Sequence, residues 1–448
     1  MSDKNSRRTP SSRGGRFMKL AGMTASVAGS YAKSRVRSAF GANTDEAEAE
    51  NWRVAGERIA QTLGELKGAV MKVGQVASQA RDLFPAEIAD ALATLQNEAP
   101  PMPFDVISDQ IEKEFGTSPD RLFKHFEHEP FAAASIGQVH RATTDDGQDV
   151  VVKVQYPGVD ASCDSDLAHL KLALRAAGIF RNHRQSLNDL FDEMRERLHE
   201  ELDYTNEAEN IRLFQGFHKD DEGIVIPSVI GERSSKRVLT MTYEPGDHID
   251  RIDPNVYDQE TRNLLGRRIF EAFGEQIFVH QAIHGDPHPG NFAYRPDGTV
   301  VIYDFGCVKK LKPEILPVYT KVLRTGIRRE WAALDDALIE LGARTPSSEA
   351  LGQAFYEPWR DLLAEPFSKA QPYDFKHATL HQRIPKMASK ALKHLNALQV
   401  PTEAMFVDRA IGGHYYTMMK LGVVEDFRPY LISLVGLTEE DLRKGDMW

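Results

Sequence analysis

The chain has 448 residues, 27% of them charged, a formal net charge of −11 and two cysteines, Cys163 and Cys307. Two cysteines at unrelated positions argue against a disulfide framework of the secreted type, and no run reaches the roughly 18 apolar residues that a membrane-spanning helix needs. The length accommodates two cored lobes plus an extension, and an acidic body repels nucleic-acid phosphates, so nucleic acid is not an expected partner.

Charge is uneven along the chain. Residues 1–40 hold nine Lys or Arg against one acid, so the remainder carries −19. Residues 1–45 therefore read as a basic, serine-rich flexible tail. Within it, "RFMKLAGMTASVAGSYAK" (Arg16–Lys33) puts Phe17, Leu20, Val27 and Tyr31 near one helical face with basic flanks, a pattern that suits an anionic lipid surface. An arginine- and serine-rich, acid-poor leader is equally the composition of an organelle transit segment. The expected location is cytoplasmic and peripheral to a membrane, with mitochondrial or plastid import as the alternative. Residues 46–125 are expected to form a helical extension, with Ile59, Leu63, Leu66, Val70 and Val73 as its apolar stripe. Lys72 and Gln75, three apart, present both polar groups on one helix face. "EAPPMPFD" (Glu98–Asp105) interrupts the extension.

A strand-rich lobe is expected over 126–245. "SIGQVHRA" (Ser135–Ala142) and "DVVVKVQYPG" (Asp149–Gly158) flank the turn "TTDDG" and read as a hairpin. Val150, Val152 and Val154 then share one face and Lys153 takes the other, near Gln138. Upstream, "AAAS" (Ala132, Ala133, Ala134 and Ser135) reads as a turn at the place where phosphate-cradling loops carry glycines. Alanine carries a Cβ and avoids the positive φ that glycine accepts. The backbone donors of this turn are therefore expected to meet a phosphate differently from those of a glycine-rich loop. A helix start follows in "ELDYTNEAEN" (Glu201–Asn210), and an apolar strand in "VLTMTYEPG" (Val238–Gly246).

Residues 246–448 are mainly helical by pattern, with "HGDPHPGNF" (His284–Phe292) a loop within them. Pro287 and Pro289 deny His284 and His288 a shared helical face, which argues against a metal site made by the two histidines. "NFAY", "RPDG" and "TVVIYDFG" then read as a β-hairpin. If Tyr294 faces Thr299 across the turn, Asn291 and Asp304 come side by side, with Asp286 just upstream. An amide and two carboxylates converging in this way suit Mg²⁺ completed by phosphates. D-x-x-x-x-N followed by D-F-G is the spacing of phosphoryl-transfer sites. Past it, "CVKKLKPEILPVYTKVLRTG" (Cys307–Gly326) moves straight into a helical pattern with no A-P-E signature, and Gly285 stands where protein kinases have the arginine of H-R-D.

"KVGQ" (Lys72–Gln75), "AAASIGQVH", "VVKVQYPG", "ELDYTNEAEN", "HGDPHPGNF" and "YDFG", in that order, resemble the UbiB/ADCK atypical kinase-like (ABC1, AarF-like) family over about residues 52–311. The resemblance implies an α+β, bilobal protein-kinase-like fold. Its N-terminal helical extension packs over the active-site cleft, and its C-lobe is mainly helical. By that similarity, Lys153 pairs with Glu207 and contacts the nucleotide phosphates, Asp286 is the catalytic aspartate, and Asn291 and Asp304 hold the metal. Met241 is the gatekeeper, and Thr242–Glu244, including Tyr243, form the hinge along the adenine. Lys72 and Gln75 belong to a lid whose lysine contacts the acidic pair Glu201 and Asp203. ATP and Mg²⁺ are the implied cofactors, and a lipid or quinone precursor and a membrane surface the implied partners. The function so implied is a Mg²⁺-dependent kinase-like ATPase supporting isoprenoid-quinone or related lipid metabolism. The alternatives are a small-molecule phosphotransferase of the aminoglycoside-kinase type, which shares the H-G-D-x-x-x-x-N loop, and a nucleotide-binding scaffold without turnover. No sequence feature bears on oligomeric state.

Overall fold

The structure, a computed structural model, describes residues 18–19, 21–26, 29, 52–62, 90, 101–134, 136–176, 184–391, 394, 396–399 and 401–445. The chain divides into two compact units, one of residues 1–208 with 228–243 and the other of 209–227 with 244–448. Residues 209–227, expected with the first lobe, thus group with the second.

The strands of the first unit are β1 (His125–Phe126), β2 (Ala132–Ala134), β3 (Gly137–Thr143), β4 (Asp149–Gln155) and, after β5 (Ile224–Val225) of the other unit, β6 (Val238–Thr242). They form one antiparallel sheet in the order β1-β3-β4-β6, with β2 also paired to β3. Alternation decides its faces. Val150, Val152 and Val154 are all at most 1% exposed, and they join a core with Ile107 and Ile111 of the Phe104–Phe115 helix, Leu167 and Leu170 of Val159–Ala176, and Met194 and Leu198 of Arg184–Glu201. The period of two sends Lys153 to the opposite face. Ala55 and Ile59, on the helical run 52–62, and Met23 belong to the same buried cluster. Helix, with a buried methionine, is thus found at 21–26, inside the Arg16–Lys33 stretch read as a helical face; Phe17, Leu20, Val27 and Tyr31 lie outside the described residues.

Both predicted hairpins form, the second one residue out of the expected register. Lys153 faces Val139, with Gln138 next to it opposite Val154, and Tyr294 faces Val300 instead of Thr299. The two turns are built alike. Thr144 N–H donates to Gln148 O and Gly147 N–H to Thr144 O; likewise Arg295 N–H donates to Thr299 O and Gly298 N–H to Arg295 O. Gly147 (φ 88°) and Gly298 (φ 86°) take the left-handed conformation. A type I turn closed by such a glycine bulge takes five residues, where a tight loop would take four. "AAAS" also differs from expectation: Ala132–Ala134 are not a turn but a strand, with Ala132 facing Val139 and Ala134 facing Gly137. Gly137 lets β4 come close to β3 on its other side, since a Cβ there would lie 2.2 Å from Val154 O.

In the second unit β8 (Phe292–Tyr294) pairs antiparallel with β9 (Val300–Ile302), which pairs parallel with β5. A separate ribbon joins β7 (Ala282–His284) to β10 (Val308–Lys310), with His284 facing Val308. The segment after D-F-G therefore enters a strand before the Ile315–Ile327 helix, where a helix was expected directly. A third ribbon, β11 (Tyr373–Asp374) with β12 (Val424–Glu425), lies among helices. The Gln259–Phe278 helix buries Leu265, Ile269, Phe273 and Ile277, and its N-terminus is capped by the Asp258 carboxylate accepting from Thr261 N–H. Such a cap contributes about 1 kcal/mol.

Candidate functional site

In the first unit the Lys153 ammonium donates to both Glu207 carboxylate oxygens at 2.9 Å. Lys153 is 8% exposed and Glu207 1%, so the charges are withdrawn from water and depend on one another. The Tyr204 ring lies 5.1 Å from the Lys153 nitrogen and adds a cation–π contact. Tyr204 and Glu207 both come from the Tyr204–Phe217 helix, and Tyr204 escaped the sequence reading although it follows the E-x-D element directly.

Met241 is buried and faces Val151, two pairs along from Lys153 facing Leu239. Tyr243 N–H donates to Asp149 O at 3.0 Å and carries the β4–β6 ladder one residue further. That amide is engaged by the sheet, so a base would meet this residue through its carbonyl or ring. Asp203 caps the following helix, its carboxylate accepting from Thr205 N–H at 3.0 Å and lying 3.5 Å from Lys236. Burial works to raise the Asp203 carboxyl, but the Thr205 bonds and the Lys236 charge outweigh it and hold the group below the usual carboxylate range. Glu201 O accepts from the Gln155 side chain at 3.4 Å. Lys72, Gln75 and Ser135 lie outside the described residues, and with them the expected lid.

In the second unit the β7–β10 ribbon, missed by the sequence reading, holds the H-G-D loop against D-F-G. Gly285 N–H donates to Cys307 O at 2.7 Å, and a Cβ at Gly285 would stand 2.8 Å from Cys307 Sγ. That contact accounts for the glycine where H-R-D has arginine. The His284 ring bonds through Nε2 to Asp304 O and packs edge-on against Phe305 and Phe292. His288 Nδ1 accepts from Gly290 N–H at 3.1 Å. The two histidines thus serve the two ends of the loop. Among the described residues, the one Cys/His/acid group close enough to share a metal is elsewhere: Cys163, Asp164 and His199. There Arg195 already holds Asp164 at 2.7 Å, and burial pushes the Cys163 thiol up to about 12, which keeps it protonated.

Asn291 and Asp286 come together. The Asn291 amide donates to Asp286 O and Oδ2, both at 3.0 Å. Because the NH₂ end is committed to these acceptors, Oδ1 is the end left to face a cation. The hairpin register puts Asn291 opposite Tyr303, whose N–H donates to Asn291 O at 2.9 Å, so Asp304 follows at the next position. Asp304 Oδ1 accepts from Gly306 N–H at 3.0 Å and turns the chain at D-F-G. An amide oxygen and a carboxylate form a hard oxygen donor set of the kind Mg²⁺ takes, which the ion completes with water and phosphate.

Three further residues complete the second half. The guanidinium of Arg409, on the Thr402–Leu421 helix, lies 3.3 Å from Asp286 Oδ1. With Asn291 on Oδ2, both carboxylate oxygens are oriented. One turn on, Gly413 abuts Pro287, where a Cβ would stand 2.3 Å from the ring. The available signal was "RAIGG", paired glycines inside a helix, which demand a packing reason. Asn210 donates to Phe305 O at 3.0 Å.

Residues 94–337 match the model of the ABC1 atypical kinase-like domain. The chain is 34% identical over 315 residues to "Protein ACTIVITY OF BC1 COMPLEX KINASE 8, chloroplastic" of Arabidopsis thaliana, covering 69% of this chain and 41% of that protein. It is 32% identical over 338 residues to "Atypical kinase COQ8, mitochondrial" of Saccharomyces cerevisiae, covering 73% and 66%. The chain thus spans less than half the length of the plant relative. Among solved structures, the Rv3197–erythromycin complex from Mycobacterium tuberculosis is similar with a TM-score of 0.60 and 27% identity, covering 88% of this chain and 98% of that one. The buried lysine–glutamate pair, the H-G-D-x-x-x-x-N loop and D-F-G all fall inside the matched region, and by fold and sequence together this chain belongs to the ABC1 atypical kinase-like family.

Proposed function

We propose that the protein is an ATP-binding, Mg²⁺-dependent atypical kinase-like ATPase that supports isoprenoid-quinone or related lipid metabolism. The observation that carries the reading is the Lys153–Glu207 pair, closed at 2.9 Å on a sheet face, because a lysine so held is the phosphate ligand of kinase-like sites. In this reading Lys153 binds the α- and β-phosphates, and Asn291 and Asp304 would hold the divalent ion. When bound, that ion neutralises charge on the phosphate oxygens. Asp286, its carboxylate oriented by Asn291 and Arg409, aligns the acceptor O–H. The acceptor oxygen bonds to the γ-phosphorus as the bond to the bridging oxygen of ADP breaks, and the acceptor proton leaves through Asp286 or to solvent.

The lipid part rests on the family resemblance. The names of the plant and yeast relatives, chloroplastic and mitochondrial, support an organellar setting. Among the described residues, no helix is long and apolar enough to cross a membrane; the membrane contact proposed is peripheral, through the basic stretch Arg16–Lys33. The test is phosphate release from ATP by the intact protein, in Mg²⁺ and in chelator, with and without detergent-dispersed quinone-like lipid. Metal-dependent release that rises with lipid is the expected result. A stable phosphorylated small product would favour the small-molecule kinase, and ATP binding without release under every condition would favour the scaffold.

A further inference from the structure

Strand β2 is three alanines at a sheet edge, two exposed and one half-buried. Alanine side chains bury too little area to fix a strand, yet the proposed nucleotide reading needs its backbone held in one place. A clasp stands at its start. The Arg141 guanidinium lies 4.2 Å from the centre of the Phe131 ring and 4.5 Å from that of Tyr243. The same guanidinium donates to Tyr243 OH at 2.8 Å, and the two rings meet edge-on at 6.0 Å and 87°. Each of the three residues is anchored by the backbone. Phe131 N–H donates to Val139 O at 2.7 Å and Tyr243 N–H to Asp149 O at 3.0 Å, while Arg141 sits within β3 facing Val151.

Position gives the clasp its meaning. Arg141 is two residues from Val139, the partner of Lys153, and so projects from the same sheet face as Lys153. Val151, opposite Arg141, is in turn opposite Met241. Phe131 is 49% exposed, an unusual place for a phenylalanine that has no partner; stacked on a cation and set against a tyrosine, it joins β2 to the end of β6.

We propose that Arg141 is a positioning residue of the nucleotide half-site: clamped between Phe131 and Tyr243, it fixes the entry of the alanine strand relative to the hinge segment and so sets nucleotide affinity. The proposal rests on the ATP-binding reading above. Two cation–π contacts and one hydrogen bond limit the effect to about 30-fold in affinity.

The test is titration of the intact protein with a fluorescent ATP analogue for the parent, Arg141→Leu, Arg141→Lys, Tyr243→Phe and Lys153→Met, with thermal melts of each. Arg141→Leu is expected to weaken binding by about 5- to 30-fold, and Arg141→Lys to restore part of the loss, since an ammonium keeps the ring contacts without the planar fork. Tyr243→Phe, which loses only the hydroxyl acceptor, is expected to fall between the parent and Arg141→Leu. Amide hydrogen exchange at Phe131–Ala134 is expected to accelerate in Arg141→Leu while the melting temperature stays within about 3 °C of the parent. If Arg141→Leu does not fold, the two conservative variants decide. Unchanged affinity in the foldable Arg141 and Tyr243 variants, with Lys153→Met still impaired, overturns the clasp alone. No binding by the parent overturns the nucleotide reading and the clasp with it.

Discussion

Replacing Asp286 by asparagine is expected to lower the rate of phosphate release at saturating ATP by about 10²- to 10⁴-fold, the range that a positioned carboxylate contributes to a proton-coupled displacement. The substitution is isosteric, and the side-chain oxygen that remains can still accept from Asn291. The loop should therefore keep its shape. What is lost is the charge opposite Arg409, 3.3 Å away, and the ability to align or deprotonate an acceptor. An interaction made chiefly in the transition state shows itself as a fall in kcat with nucleotide affinity little changed. Phosphate release measured under single-turnover conditions, beside a direct ATP titration, checks this. Release at the parental rate would remove Asp286 from the chemistry, and a loss of ATP affinity equal to the loss of rate would make it a binding residue.

The second large effect falls on stability. Glu207→Ala leaves the Lys153 ammonium in a buried position without the carboxylate that holds it through both oxygens. Removing one partner of a buried pair costs about 3–5 kcal/mol, because the remaining charge loses its counter-charge. Replacing both, as Lys153→Met with Glu207→Leu, removes both charges and is expected to leave the unfolding free energy within about 2 kcal/mol of the parent, since apolar replacement of a buried pair is commonly neutral or stabilising. Urea unfolding of the three proteins at neutral pH tests the contrast. The double variant is also expected to lose ATP binding while folding well, which separates the pair's role in binding from its role in stability. Equal stability of Glu207→Ala and the parent would mean that Lys153 finds another counter-charge, or water, at no cost.

Much of this site was legible in the chain because each motif is local. The β-branched run around Lys153 fixes its own faces by alternation, and Pro287 and Pro289 exclude a helix from H-G-D-x-x-x-x-N whatever surrounds it. Register was read one residue short in the second hairpin. "TTDDG" and "RPDG" announce turns, but only backbone pairing tells a four-residue loop from a five-residue loop closed by Gly147 or Gly298. The error did not move the core face, which Val150, Val152 and Val154 set by burial. Other misses have a different cause. Arg409 meets Asp286 across 123 residues of chain, and Asn210 reaches Phe305 across 95; no periodicity encodes pairings so distant. The β7–β10 ribbon was hidden by its shortness, three residues a side, below what a pattern of alternation can resolve. "AAAS" was misread because an alanine run has no strand propensity of its own. Its strand forms because β3 offers it an edge to pair with.

In the proposed reading Asn291 and Asp304 would hold the divalent ion that accompanies ATP. Mn²⁺ standing in for Mg²⁺ reports this directly through electron paramagnetic resonance of the ion, titrated into the intact protein with ATP and repeated with Asn291→Leu and with Asp304→Asn. The parent is expected to bind one Mn²⁺ per chain in an ATP-dependent manner, and each variant to weaken that binding by at least about tenfold, the lower end of what even outer-sphere partners of a metal contribute. Mn²⁺–ATP binding of equal strength in the parent and both variants would contradict it.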